Sequence, residues 1–173
     1  MSQQAAGLVT GVDDPSDLGD TSGDIRRIET TVESGYLYLR MNVEGIALPS
    51  IEQTPEGKSN RYYYHWLLDT DNNPATGRSN AEYEGSSTGL TRPIGYERVV
   101  MIGWRDGAPN GIEVYDPLND DAVLVTNFEY DAAGAAVEAR IKLADLGLVL
   151  GQTIAVSAFQ EGASDGWAVD WME

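Results

Sequence analysis

The run Asp69-Thr70-Asp71-Asn72-Asn73-Pro74-Ala75-Thr76-Gly77 holds the residues of this chain best suited to chemistry. Asp69, Asp71 and Asn73 recur at every second position. In a tightly curled loop, that spacing turns three oxygen-bearing side chains toward one point. Hard divalent cations need oxygens clustered in this way, and Ca²⁺ takes about six to eight of them. The backbone carbonyls near Ala75 and Gly77 extend the candidate ligand set round the loop. The EF-hand pattern does not fit, because its sixth position, a glycine, is Pro74 here and its twelfth, a glutamate, is Asn80. The closing carboxylate must therefore come from elsewhere. Glu97 is placed to supply it, since it follows Gly95-Tyr96 and opens the next strand candidate. The alternative is an ordinary turn whose Asp and Asn side chains cap backbone N–H groups. Two neighbouring aspartates repel, which favours an ion between them. Mg²⁺ suits the loop less well because it keeps more of its water and takes fewer protein ligands.

A second acidic stretch, Asp13-Asp14-Pro15-Ser16-Asp17-Leu18-Gly19-Asp20 with Asp24 just beyond, is either a second ion site or a solvated, turn-rich lead-in to the first strand. Acids dominate the whole chain. Its 173 residues carry 28 Asp+Glu against 11 Lys+Arg, a formal charge of −17. That surplus fits a salt-adapted surface or a calcium-loaded protein. It repels phosphate backbones, and no basic patch offsets it, so nucleic acid is not an expected partner. No apolar run is long enough to span a bilayer, so membrane insertion is not expected. With no Cys and one His, disulfides, thiolate metal sites and multi-histidine zinc sites are excluded.

The elements that must position these residues are short and alternating. Ile25 to Glu33 and Tyr36 to Glu44 flank the turn signal Ser34-Gly35. In the second, Leu37, Leu39, Met41 and Val43 alternate with Tyr36, Tyr38, Arg40 and Asn42, which predicts a β-hairpin. Further strands are expected at Tyr62–Asp69, Tyr96–Trp104, Ile112–Tyr115, Ala122–Tyr130, Ala136–Lys142, Thr153–Gln160 and Trp167–Trp171. Only Leu143-Ala144-Asp145-Leu146 looks helical, for about one turn, and Gly147 ends it. The expected fold is all-β: an antiparallel, jelly-roll-like two-sheet β-sandwich with one short helical turn, a closed barrel being the alternative. Residues 1–173 read as a single domain. Met1 to Ala6 lack the basic and apolar segments of a signal peptide, and the abrupt end after an apolar segment reads as a domain cut from a larger protein.

Together, several motifs resemble a known group. They are Asp69 to Gly77 after a strand, Gly95-Tyr96-Glu97 opening another, the segment Glu138 to Leu148, and the hairpin from Asp24-Ile25 to Tyr36-Leu37-Tyr38. Over about residues 13–160 the chain is similar to family 9 carbohydrate-binding modules and the wider DOMON-like superfamily. The resemblance implies a two-sheet sandwich with a structural Ca²⁺ at a sheet end, secreted or at the cell surface within a multidomain parent protein. Asp69, Asp71 and Asn73 then match the ion loop and Glu97 the strand-opening acid. Many such domains bind sugars. Neither ring of the aromatic clamp used by the family 9 modules aligns with a residue here.

Nine Tyr and four Trp against two Phe favour aromatics that work with one end wet. Trp66, Trp104, Trp167 and Trp171 are therefore candidate ligand-binding residues for a polysaccharide or oligosaccharide, each weighed against plain core packing. Tyr62-Tyr63-Tyr64 must straddle both faces of its sheet. His65 reads as a satisfied core or loop histidine. Glu113, Glu129 and Glu138 are scattered, no Gly-x-Ser-x-Gly elbow occurs, and no motif pairs His65 with a Met for haem. The expectation is a non-catalytic carbohydrate-binding module carrying calcium. The alternative is a calcium-binding structural or adhesive domain that binds no sugar.

Overall fold

The computed structural model describes residues 10–47, 61–79, 94–162 and 169–172. Its strands are β1 (Thr10–Asp13), β2 (Ile25–Glu33), β3 (Tyr36–Val43), β4 (Arg61–Asp69), β5 (Arg78–Ser79), β6 (Gly95–Tyr96), β7 (Arg98–Arg105), β8 (Ala108–Asp116), β9 (Asp121–Ala122), β10 (Glu129–Ala133), β11 (Ala136–Lys142), β12 (Ala155–Glu161) and β13 (Val169–Trp171). A 3₁₀ turn at Leu143–Leu146 is the only helical element among the described residues, and Gly147 stops it. A five-stranded sheet runs β1-β2-β3-β11-β10 and a six-stranded sheet runs β13-β12-β4-β7-β8-β9, with β5-β6 as a separate ribbon. Every pairing is antiparallel. The two sheets pack face to face, so the chain is a β-sandwich. No helix among the described residues is long and apolar enough to cross a membrane.

Alternation in the sequence decides the faces. In β3, Leu37, Leu39, Met41 and Val43 are buried between the sheets, and β11 adds Val137, Ala139 and Ile141. The six-stranded sheet answers with Tyr62, Tyr64, Trp66 and Leu68 of β4, Val100 and Ile102 of β7, and Ala158 of β12. The β2–β3 turn is Ser34-Gly35, with both residues at positive φ (50° and 81°). That is the backbone of a tight hairpin turn whose twist matches its strands.

Both alternating sets of β4 are apolar because both of its faces are covered. Its second face lies in a smaller cluster of Leu67, Ile94, Tyr96, Val99, Phe159 and Trp171. His65, also on that face, stacks on Phe159 (4.1 Å, 7°), and Phe159 stacks on Trp171 (4.4 Å, 20°). Of the three tyrosines, Tyr62 and Tyr64 point into the sandwich, while Tyr63 on the opposite face donates its hydroxyl hydrogen to Asn110 Oδ1 at 3.0 Å.

Two expectations are corrected. Residues 122–130 are not one strand: β9 belongs to the six-stranded sheet and β10 to the five-stranded one, and the chain crosses between them. Asn127 adopts φ 58°, which breaks the extended run. The Thr126 N–H and hydroxyl both bond Asp145 Oδ2 (2.7 and 3.0 Å), so that stretch has no ladder partner to seek. β1 was not expected. Its residues are all exposed, so no apolar alternation marks it, and its pairing with β2 defines it.

Asp116 organises the turn between β8 and β9. It accepts hydrogen bonds from the Leu118 and Asn119 backbone N–H groups (3.0 and 3.2 Å) and from Asn119 Nδ2 (3.0 Å), and it pairs with Arg98 (3.1 Å). These contacts, the Asn119 side chain foremost, hold its pKa below the ordinary 3.8. A carboxylate with a depressed folded-state pKa adds stability above its unfolded pKa and loses it as pH falls through the folded value. Asp116→Ala is therefore expected to lower the denaturation midpoint at pH 7. Its deficit relative to wild type should shrink as the pH drops below 3.8. A deficit that stays constant down to pH 2 would contradict this.

Candidate metal centre

β4 ends at Asp69, which is buried at 1% exposure. β7 runs antiparallel beside β4, pairing Arg98 with Leu68. This register sets Glu97 next to the end of β4, where its N–H bonds the Leu68 carbonyl at 3.1 Å. Carboxylate oxygens of Asp69, Asp71 and Glu97 all lie within 4.8 Å of one another. That span matches the diameter of one calcium coordination sphere, about twice 2.4 Å. Asp69 and Asp71, singled out by spacing, thus converge with Glu97, nominated as a strand-opening acid, and the cluster could hold a metal ion.

Hydrogen bonds within the loop fix this geometry. The Thr70 N–H and hydroxyl donate to Glu97 Oε2 at 2.8 and 3.0 Å. The Asn73 N–H donates to Asp69 Oδ1 (2.9 Å) and Asp71 Oδ1 (3.0 Å). The Thr76 hydroxyl lies 3.0 and 2.9 Å from the two oxygens of Asp71. Gln152 Nε2 ties the Thr70 carbonyl from the far side at 2.6 Å. Asn73 Oδ1 in turn accepts the Ala75 N–H at 3.2 Å, the same Asx cap that Asp71 Oδ1 makes with the Asn73 N–H. Ala75 and Gly77 are exposed.

The loop packs tightly against the β6 ribbon. Gly77 has φ +71°, and a Cβ there would lie 2.5 Å from Glu97 Oε1 and 2.7 Å from the Tyr96 nitrogen. A Cβ on Gly95 would lie 1.9 Å from the Thr76 carbonyl oxygen.

Among the described residues, no ion pair involves Asp69, Asp71 or Glu97. Burial raises the Asp69 pKa most, the Asn73 N–H pulls it back, and the neighbouring Asp71 and Glu97 push it higher. Glu97 Oε1 is buried and accepts no hydrogen bond.

The tryptophans divide. Trp66 is fully buried in the main core and Trp171 is 8% exposed beneath Phe159, so neither offers a ring face as a binding platform. Trp66 fills the space between the sheets and Trp171 completes the ring stack on the second face. Trp104 is half-buried near the end of β7. Trp167 lies outside the described residues.

Two further features were legible only in part or not at all: the acidic stretch marked Asp14 and Asp17 as a candidate second ion site but gave no sign of Asp170. One is a second acidic group, Asp14, Asp17 and Asp170, whose oxygens also lie within 4.8 Å of one another and which is also placed to hold an ion. Asp170 joins it from the far end of the chain. The other is a groove of about 400 Å³ on the outer face of the five-stranded sheet, lined by Glu29, Tyr38, Arg40, Tyr130, Glu138 and Arg140 among others. Within it, Arg140 Nε bonds the Tyr38 hydroxyl at 3.1 Å, and its guanidinium lies 3.7 Å from the centroid of the adjacent Tyr36 ring. Only the strand register brings these side chains together.

The chain matches no protein-family model and no curated protein sequence. Its likeness to family 9 modules therefore rests on the motifs quoted above.

Gly77→Ala places a side chain where both backbone angle and space oppose it. It should cost about 1–3 kcal/mol in urea unfolding. Gly35→Ala, at φ +81° but with nothing within 4 Å of the added Cβ, is the control for the angle alone. Equal losses in the two variants would show that the loop does not press on Glu97.

Proposed function

We propose that this domain is a non-catalytic carbohydrate-binding β-sandwich stabilised by a structural calcium ion held by Asp69, Asp71 and Glu97. The observation that carries the calcium is Glu97 Oε1: a carboxylate oxygen, buried without a hydrogen-bond donor, beside two further carboxylates. A buried anionic oxygen left unpaired is costly, and a cation removes that cost. The donor set is all oxygen and the loop supplies many backbone carbonyls nearby, which suits calcium better than magnesium. When bound, the ion supplies positive charge and fixes the loop. The chain's own residues do the rest: Thr70 orients Glu97, Asn73 and Thr76 orient the two aspartates, and Gly77 and Gly95 permit the close approach.

Support for a glycan comes from the groove on the five-stranded sheet. Tyr38 lines it and offers ring surface. Arg40, Arg140, Glu29 and Glu138 offer the paired charges that bind sugar hydroxyls. The resemblance to family 9 modules points the same way, and with it to a secreted or cell-surface setting. One observation favours the second reading, a calcium-binding structural or adhesive domain that binds no sugar: Trp66 and Trp171 are committed to packing.

Calcium at a hundredfold excess over its Kd should stabilise the fold by about 2.7 kcal/mol. EDTA is expected to lower the melting temperature, and Asp71→Ala to lower it as well and to reduce the stabilisation that calcium gives. A melt indifferent to both would remove the ion from this site. In calorimetric titration against an oligosaccharide panel, at least one glycan should bind, with Tyr38→Ala and Arg40→Ala weakening it about tenfold and leaving the calcium response intact. Flat heats with every glycan would leave the structural reading in its place.

A further inference from the structure

The second acidic group sits where the two sheets meet at one edge. β1 and β13 are the terminal strands of their sheets on that side. Asp14 and Asp17 follow β1, Asp24 precedes β2, and Asp170 lies in β13 of the opposite sheet. Asp14, Asp24 and Asp170 are 5%, 0% and 4% exposed, and Asp17 is exposed. Among the described residues, no ion pair involves Asp17, Asp24 or Asp170.

What holds the group together is a set of donors to carboxylates. The Ser16 hydroxyl donates to Asp24 Oδ2 at 2.6 Å, and the Asp17 N–H donates to Asp24 Oδ1 at 3.3 Å. The Ile25 N–H donates to Asp170 Oδ2 at 2.5 Å, a bond from one sheet to the other. These bonds position the acids without neutralising them.

A separate observation points to a ligand. Gln160, fully buried, is the cross-strand partner of Asp170. Its amide nitrogen is used, donating to the Glu161 and Gly162 carbonyls at 2.6 and 3.0 Å. Its amide oxygen Oε1 is buried and accepts nothing. That oxygen faces Gly23, where a Cβ would lie only 2.5 Å from it, and so turns toward the bend that carries Asp24. A buried neutral oxygen acceptor beside converging carboxylates is a ligand set for a hard cation.

We infer that Asp14, Asp17 and Asp170, with the Gln160 amide oxygen beside them and Asp24 orienting the loop, form a second calcium site that clamps the two sheets together at the β1/β13 edge. The site is separate from the Asp69 loop and does not depend on the glycan reading.

The test is calcium chloride alone, titrated calorimetrically into EDTA-stripped and dialysed protein, with bound metal counted by elemental analysis. Wild type is expected to bind two equivalents per chain, and Asp71→Ala one. Asp17→Asn, at an exposed position that leaves the fold intact, should weaken one of the two sites at least tenfold. Asp170→Asn, which keeps an acceptor for the Ile25 N–H, should do the same, and hydrogen exchange at Val169–Trp171 should then no longer slow on adding calcium. If wild type binds one equivalent that Asp17→Asn loses and Asp71→Ala keeps, the clamp stands and the Asp69 site falls. If Asp71→Ala abolishes all binding, or Asp17→Asn and Asp170→Asn both bind as wild type does, the clamp is overturned.

Discussion

The structure turns on a carboxylate taken out of water. Asp69 sits at the end of a strand whose neighbours on both faces are apolar, and it is as buried as they are. Transferring an ionised carboxylate into such a setting is expensive unless charge and hydrogen bonds compensate it. The loop that follows is shaped by that requirement. It curls back so that the Asn73 N–H reaches Asp69, and it brings up Asp71 and Glu97, which deepen the charge problem rather than relieve it. Three acids drawn together around one buried oxygen make chemical sense when a positive charge joins them.

From this constraint the surrounding architecture follows. Glu97 must stand beside Asp69, so β7 must begin there and pair with β4 in the observed register. The short ribbon of β5 and β6 carries the loop back across the second face of the six-stranded sheet, where Tyr96 and Ile94 join the smaller apolar cluster. That cover is why β4 is apolar on both faces. The same arrangement consumes Trp171 and His65 in a ring stack, while the groove of about 400 Å³ lies on the opposite side of the molecule, on the five-stranded sheet.

Much of this was legible in the residues, for identifiable reasons. The alternation of Leu37 to Val43 has one apolar and one polar set, so its burial could be read off. Spacing within nine residues sufficed to pair Asp69 with Asp71, and a strand-opening acid sufficed to nominate Glu97. Where the sequence was silent, the cause was distance or ambiguity. Trp66 lies in a strand whose two sets are equally apolar, so neither face could be chosen. Nothing local links Asp170 to Asp14, which lie in different sheets and meet only after folding. The stretch from Ala122 to Glu129 has strand-like composition, yet Asp145 takes the Thr126 N–H and tertiary context overrides propensity.

Among the described residues, both sheets finish in very short strands: β1 and β10 on one, β13 and β9 on the other, none longer than five residues. An unpaired strand rim is a template on which a foreign chain can add itself, and brevity and charge are the usual defences. Here Asp13, Asp121, Glu129 and Asp131 lie along those rims. A second copy approaching rim to rim would bring like charge against like charge. The acidity that gathers carboxylates at the ends of the strands thus also opposes edge-to-edge growth of the sheets.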